Sequence, residues 1–225
     1  MKKRERVENM FALADVEPDH ESKWVSQISL VKCVIDDKRT RIESAYIWLI
    51  EGVFSPDDYK TKRLYDSIHE YGIEKTHVRI VPIQRALQEF CSLIAKNRYI
   101  PVVAHAHDRD IESLMQTDLD LNGGFFKPDG TSKSKVWPKI DRVCSQVLLQ
   151  DMCPKYWETV RSKVPENYKG CKLDDHIKLN FKRSQKHVSL DDCMDLFDLL
   201  CILFKTDGAK TRTRLFKNVK GVPCN

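Results

Sequence analysis

The sequence lacks several features that mark whole classes of protein. No apolar run approaches the ~20 residues that a membrane-spanning helix requires, so no membrane attachment is expected. None of the eight cysteines stands in a CxxC pair, the short spacing that zinc centres favour, and buried free thiols are expected instead. No signal-peptide core follows the basic residues 1–6, which predicts an intracellular protein, cytoplasmic or nuclear, that is not secreted.

What is present describes one ordinary globular unit. The chain has 225 residues, of which 41% are hydrophobic and 32% charged, and this length suits one full-sized core better than two. The net charge of +5 is mildly basic and compatible with a polyanionic partner. The predicted division is a basic leader at 1–7, a domain at 8–205 with a loop-rich insertion at about 117–140, and a basic, flexible tail at 206–225.

The order of the apolar segments predicts one α/β domain with a mixed sheet and helices on its faces. Segments rich in β-branched and aromatic residues predict strands, the first three in an antiparallel meander: 7–15, 28–35, 41–50 and 99–104, with a further candidate at 141–149. Amphipathic segments predict helices: 59–71, 83–96, 110–115, 155–162, 173–181 and 190–204.

Two carboxylates stand at the end of the first predicted strand. In an extended chain, residues two apart point to the same side, so Asp15 and Glu17 project together. Like charges at that separation repel unless a cation lies between them, which makes the pair a candidate for a hard-metal site with oxygen ligands. A solvated strand end is the alternative, because the DxE pattern is common.

Two further acidic segments are unremarkable when each is taken alone. Asp110 follows the strand at 99–104 and begins a helix, where the helix dipole favours an aspartate. Asp192 lies five residues after His187, just inside the last apolar helix, so both side chains can face one cleft. The adjacent Asp191 either faces solvent or supports the start of that helix.

Together the three segments resemble the DEDDh branch of the DnaQ-like 3′–5′ exonucleases. That family has DxE at the end of its first strand, then an aspartate four residues before a leucine, then a histidine with an aspartate five residues on. The matching residues here are Asp15, Glu17, Ala104, His105, Asp110, Leu114, His187 and Asp192. Asp108 is a rival for the third carboxylate, and Asp110 is preferred because it keeps the spacing to Leu114. The resemblance covers about residues 8–205 and is poor at 117–165.

The chain departs from the family directly after the DxE. The family usually has small residues there, which lie against the terminal nucleotide, whereas this chain has Pro18-Asp19-His20-Glu21. This bulkier and more acidic turn concerns the substrate pocket more than the chemistry, because the four carboxylates and the histidine are all present.

The resemblance implies a ribonuclease H-like fold, with a mixed five-stranded sheet, and two-metal hydrolysis of phosphodiester bonds at the 3′ end of nucleic acid. The implied cofactors are two Mg²⁺ or Mn²⁺ ions. Asp15 would touch both ions, Glu17 and Asp192 would complete the site of the ion that holds the attacking water, and Asp110 would hold the second. His187 would take the proton from that water, because imidazoles titrate near neutral pH.

The implied partner is single-stranded nucleic acid or a 3′ end, DNA or RNA, which needs cations for its phosphates and rings for its bases. The candidate nucleic-acid-binding residues are Phe125, Phe126, Lys127, Arg183 and Lys186. Core packing of the rings and a solvated loop for the cations are equal alternatives. Two other functions of the same fold stay open: an RNA-specific trimming enzyme, and an inactive nucleic-acid-binding or scaffold protein.

Overall fold

The computed structural model describes residues 9–36, 40–97, 100–105, 107–163 and 172–216. The strands are β1 (Met10–Pro18), β2 (Val25–Ile35), β3 (Thr40–Ile50), β4 (Thr76–Val81), β5 (Val102–Ala104) and β6 (Arg142–Cys144). The α-helices are α1 (Tyr59–Tyr71), α2 (Ile83–Lys96), α3 (His107–Asp120), α4 (Ser145–Met152), α5 (Pro154–Arg161), α6 (Leu173–Phe181) and α7 (Ser189–Phe216), and a short 3₁₀ helix spans Trp137–Lys139. The predicted leader at 1–7 and the end of the tail, 217–225, lie outside the described residues.

The strands form one mixed sheet in the order β4-β3-β2-β1-β5-β6. Strands β1, β2 and β3 are an antiparallel meander, and the other strands join in parallel, so the predicted sheet type and meander are confirmed. The sheet has one strand more than the five expected. The addition is β4, an edge strand in which His77 and Arg79 interrupt the apolar residues, so no continuous apolar run marks it in the sequence.

Side-chain alternation along β1 places its carboxylates on the same face as α7. Phe11 and Leu13 belong to a core that includes Leu196 of α7, whereas Ala12 belongs to a second core on the opposite face, with Leu87 of α2. Because side chains two residues apart share a face, Asp15 and Glu17 continue the row of Phe11 and Leu13. Helix α7 packs directly against β1 and β2 on that side.

The prediction of a flexible tail from residue 206 is wrong for the residues up to Phe216. Helix α7 continues to Phe216, with a break in helical geometry at Asp207. Beyond the break, Leu215 and Phe216 are 1% and 8% exposed and belong to the core beside α7. The Thr211 hydroxyl donates to the Leu203 carbonyl across the break. Burial of these apolar side chains fixes a segment that is otherwise polar and contains three basic residues.

The segment 141–149 contains a strand only in its first part. Strand β6 ends at Cys144 and helix α4 begins at Ser145. The sequence did not separate the two, because a short apolar run fits a buried helix as well as a strand. Cys144 is disulfide-bonded, so the expectation of free thiols is wrong for this residue. The other cysteines among the described residues are free: Cys33, Cys91, Cys153, Cys193 and Cys201. In the described part of the chain, the helices are too short or too polar to span a bilayer.

Candidate active site

The C-terminal end of β1 carries two acidic side chains that point into the protein. Glu17 is 6% exposed and pairs in the β1–β2 ladder with Gln27, next to a bulge at Glu17/Pro18. Asp15 pairs with Ser29, and its Oδ2 atom is buried without a hydrogen-bond partner. A buried carboxylate oxygen without a partner is costly, so it indicates a position where a ligand belongs.

Helix α7 brings a third carboxylate to the same place. Asp192 is 2% exposed, and its Oδ1 atom is also buried without a hydrogen-bond partner. The start of the helix is fixed to the sheet because the hydroxyls of Ser29 and Ser189 lie 2.7 Å apart, in hydrogen-bond contact. Ser29 is the partner of Asp15 in the ladder, so this contact links the two carboxylates through the backbone.

Helix α3 contributes the fourth carboxylate. Asp110 lies in the first turn of α3, and repulsion from Glu17 contributes to a raised pKa for Asp110, after burial. The rival Asp108 has a side chain that is 44% exposed and lies 3.0 Å from Nε2 of His107. These positions favour Asp110 over Asp108 as the predicted carboxylate that comes third in the sequence, after Asp15 and Glu17.

His187 reaches the carboxylates from the loop before α7. It is exposed, and its backbone is in the left-handed region with φ of 54°. One potential ligand atom from each of Glu17, His187 and Asp192 lies within 4.8 Å of the other two. The loop is held on the other side by the Gln185 backbone N–H, which donates to Asp174 Oδ1 at 2.9 Å.

The electrostatics of the group follow from burial and mutual repulsion. Burial raises the pKa of Asp15 well above its ordinary value, and repulsion from Asp192, Asp110 and Glu17 raises it further. The pKa of Asp192 is raised by burial and by Glu17 in the same way. Carboxylates that repel one another in a low-dielectric site, with two unpartnered oxygens, fit a hard divalent cation with oxygen ligands.

Asp191, the neighbour of Asp192, has a role that the sequence left open. It does not face solvent, since it is 2% exposed. Its carboxylate accepts hydrogen bonds from Arg63 Nε at 3.2 Å, the Ser67 hydroxyl at 2.9 Å and the Tyr71 hydroxyl at 2.7 Å. All three donors lie on α1, so Asp191 fixes the start of α7 to that helix.

Lys60 is a site residue that sequence analysis missed. Its Nζ atom donates to Glu17 Oε2 at 2.9 Å and to the Pro18 carbonyl at 2.8 Å. The lysine lies in the first turn of α1, two residues after the Asp58 cap. No local pattern announces the contact, because it joins positions that are 43 residues apart.

The two phenylalanines proposed to stack on bases lie in the core. Phe125 and Phe126 are each 3% exposed and pack edge-on against Trp137. Their backbone N–H groups donate to Asp118 Oδ2, and a Cβ on Gly123 would collide with Asp118 Oδ1. The loop is therefore folded tightly on α3, and these rings are not presented to solvent.

The three candidate cations differ in how free their charges are. Arg183 donates to Asp195 at 2.5 Å and to Asp198 at 2.8 Å, so its charge is already partnered. The ammonium group of Lys186 lies 3.9 Å from the Glu70 carboxylate, at the edge of an ion pair. Lys127 is exposed on the folded loop. Lys127 and Lys186 therefore remain the better candidates for contacting phosphate.

The fold is similar to that of a solved nuclease. The structure of cell-death related nuclease 4 (CRN-4) matches with a TM-score of 0.52 and 11% sequence identity over 88% of this chain and 64% of that chain. At this identity the likeness shows the fold alone, which is the predicted ribonuclease H-like arrangement of a mixed sheet flanked by helices. Because the match covers 64% of that chain, the present chain spans less than two thirds of the length of that protein. No family model and no curated protein matches the sequence.

Proposed function

We propose that the protein is a metal-dependent 3′–5′ exonuclease that hydrolyses phosphodiester bonds at the 3′ end of single-stranded nucleic acid. The observation that carries the proposal is the meeting of Glu17, His187 and Asp192, whose ligand atoms lie within 4.8 Å of one another. The buried, unpartnered oxygens of Asp15 and Asp192 point to the same chemistry. The likeness of the fold to a nuclease agrees with it.

The residues divide into ligands and a base. Those proposed to hold two divalent ions are Asp15, Glu17, Asp110 and Asp192. Mg²⁺ or Mn²⁺ held there would polarise the scissile phosphate and lower the pKa of a bound water. His187 accepts the proton of the attacking water at an imidazole nitrogen, since its exposed ring lies beside Glu17 and Asp192 at the mouth of the site.

The proposed substrate fits the net charge of the chain. The chain carries a net charge of +5, and Lys127 and Lys186 are exposed, so a polyanion is attracted overall. Pro18, directly after the DxE carboxylates, has no backbone N–H, and its carbonyl accepts a hydrogen bond from Lys60. The backbone at Pro18 therefore has no hydrogen bond to donate to the terminal nucleotide, and Lys60 holds it in place.

The test is incubation of the purified full chain with 5′-labelled single-stranded DNA and RNA of the same sequence, in Mg²⁺, Mn²⁺ or EDTA. The expected result is a ladder of products that shorten from the 3′ end with either metal and not in EDTA. The faster substrate separates a general exonuclease from an RNA-specific trimming enzyme.

The matched control is Asp15→Asn, which keeps the size of the side chain and removes its charge. We expect this variant to bind the strand and to leave it intact. Binding without shortening by the wild-type protein in both metals would contradict the proposal and favour the nucleic-acid-binding or scaffold function of the same fold.

A further inference from the structure

A positively charged side chain, Lys60, lies within the cluster of acidic side chains at the site. Its ammonium group lies 2.9 Å from Glu17 Oε2, and the two side chains are 22% and 8% exposed. Within the described residues, this is the one ion pair that Asp15, Glu17, Asp110 and Asp192 make. Attraction to Lys60 also opposes the rise in the pKa of Asp15 that burial and the other carboxylates cause.

Lys60 is held in place by more than the ion pair. It also donates to the Pro18 carbonyl at 2.8 Å, which leaves it bound to two successive residues of β1. Its own backbone N–H donates to Asp58 Oδ2 at 3.1 Å, in the cap of α1. The ammonium group is therefore held in a defined position by these contacts, because Lys60 begins the capped first turn of α1 and its side chain is bound to β1.

We propose that Lys60 is an internal counter-cation of the metal centre, which sets its affinity for divalent ions; this inference rests on the proposed function. It holds Oε2 of Glu17, and an oxygen of the same carboxylate lies within 4.8 Å of ligand atoms of Asp192 and His187. A divalent ion that binds Glu17 must share the carboxylate with a positive charge. Lys60 thus stabilises the group of carboxylates without an ion and weakens the binding of an ion.

The expected magnitude follows from Coulomb's law for two charges that share one carboxylate. A single positive charge about 5 Å from a divalent ion opposes binding by about a factor of ten, even with the screening of bulk water. The loss of order at Glu17 acts in the opposite direction, but Glu17 is only 6% exposed, so its surroundings confine the side chain even without Lys60 and little freedom is gained. The repulsion therefore decides the sign, and removing the charge tightens binding.

The test compares the Mn²⁺ dissociation constants of wild type and Lys60→Met by titration calorimetry at fixed pH and ionic strength. Methionine keeps an unbranched side chain and a similar helix propensity while removing the charge. We expect Lys60→Met to bind Mn²⁺ about threefold to thirtyfold more tightly than wild type. We also expect Mn²⁺ to raise the Tm of Lys60→Met by more than it raises that of wild type, because the metal-free variant has lost its counter-cation.

Two further variants separate this role from general packing and general charge. Lys60→Arg keeps the charge, and we expect its affinity for Mn²⁺ to stay close to that of wild type. Lys62→Met removes the same charge from the same helix at a side chain that is 64% exposed and pairs with Asp57. We expect no more than a twofold change in that variant.

Each outcome bears on a different claim. Equal or weaker Mn²⁺ binding by Lys60→Met, or equal tightening by Lys62→Met, would overturn the counter-cation role and leave the proposed exonuclease standing. A wild-type protein that binds no Mn²⁺ would overturn both.

Discussion

His187 combines an exposed imidazole with a backbone conformation that few residues other than glycine and asparagine adopt. Its φ of 54° lies in the left-handed region, where a side chain with a Cβ costs about 1–2 kcal/mol. The hydrogen bond from the Gln185 backbone to Asp174 fixes the loop just before it. The conformation places the ring next to Glu17 and Asp192 rather than along α7. Because alanine tolerates this backbone poorly, asparagine is the better substitution here.

The first prediction concerns the role of His187 as the general base. We expect His187→Asn to slow hydrolysis by about 10²–10⁴-fold, the usual contribution of general-base catalysis, and to change Mn²⁺ affinity by less than about threefold. Single-turnover rates and a Mn²⁺ titration measure the two effects. His69→Asn, an exposed histidine in the last turn of α1, is the control. Unchanged turnover in His187→Asn would remove His187 from the mechanism.

The second prediction concerns His176, a buried histidine of α6 outside the carboxylate group. Burial, with a smaller effect of nearby His105, lowers the pKa of His176 from its ordinary value of 6.5 to about 3. Nδ1 of His176 lies 2.9 Å from the Tyr156 hydroxyl, while Nε2 is buried without a partner. The folded state therefore binds the proton less readily than the unfolded state. The stability this gives is complete above pH 6.5 and is lost as the pH falls from 6.5 towards 3.

The measurement is the free energy of unfolding in urea as a function of pH, for wild type and His176→Phe. Phenylalanine keeps a ring beside Tyr156 and Trp157 and cannot take up a proton. Between pH 7 and pH 4 we expect wild type to lose about 2–3 kcal/mol more than the variant. Parallel pH profiles for the two proteins would show that His176 is not the group responsible.

At the scale of elements, the contact between α1 and α7 decides where the site carboxylates stand. Asp191 receives its hydrogen bonds from α1, while Asp192, the next residue, faces the site. Arg63 is shared, since it also pairs with the exposed Glu70. We call these contacts of Asp191 with Arg63, Ser67 and Tyr71 the α1–α7 clamp. Within this clamp, Arg63 has one buried partner, Asp191, and one exposed partner, Glu70.

The third prediction separates these two partners of Arg63. We expect Asp191→Ala to lower the free energy of unfolding by about 2–4 kcal/mol, because the nearly buried Arg63 keeps only its exposed partner Glu70 and the Tyr71 hydroxyl loses its acceptor. Glu70→Ala removes an exposed, solvent-screened partner, and we expect a clearly smaller loss than that of Asp191→Ala. Urea denaturation measures both. Equal losses in the two variants would contradict the clamp.

Elements were predictable where the chain signals them locally. Helices α1 and α2 begin and end at the predicted residues, because α1 has an Asp58 cap and a left-handed Gly72 at its end, and α2 has a clear apolar face. Strand β4 was missed because it lies at an edge of the sheet and polar residues interrupt its apolar ones. The end of α7 was missed because two apolar residues decide its packing within a basic segment.

At the scale of the whole molecule, the order and spacing of a few acidic residues carried the prediction of the site, while their supports were invisible. Lys60 and Arg63 bind partners that are 43 and 128 residues away, so only the folded chain brings them together. The burial of Phe125 and Phe126 was equally hidden. It depends on an aspartate on α3 that accepts their backbone N–H groups, within a segment whose composition is typical of an exposed loop.

The central claim is that this group of carboxylates and His187 directs water onto a phosphodiester bond at a 3′ end. The most direct measurement is mass spectrometry of the products formed from a single-stranded oligonucleotide with Mn²⁺ in water enriched in oxygen-18. We expect mononucleotides released from the 3′ end to carry one oxygen-18 in the phosphate, and Asp15→Asn to release none. An oligonucleotide recovered intact, or products that form equally well in EDTA, would contradict the claim.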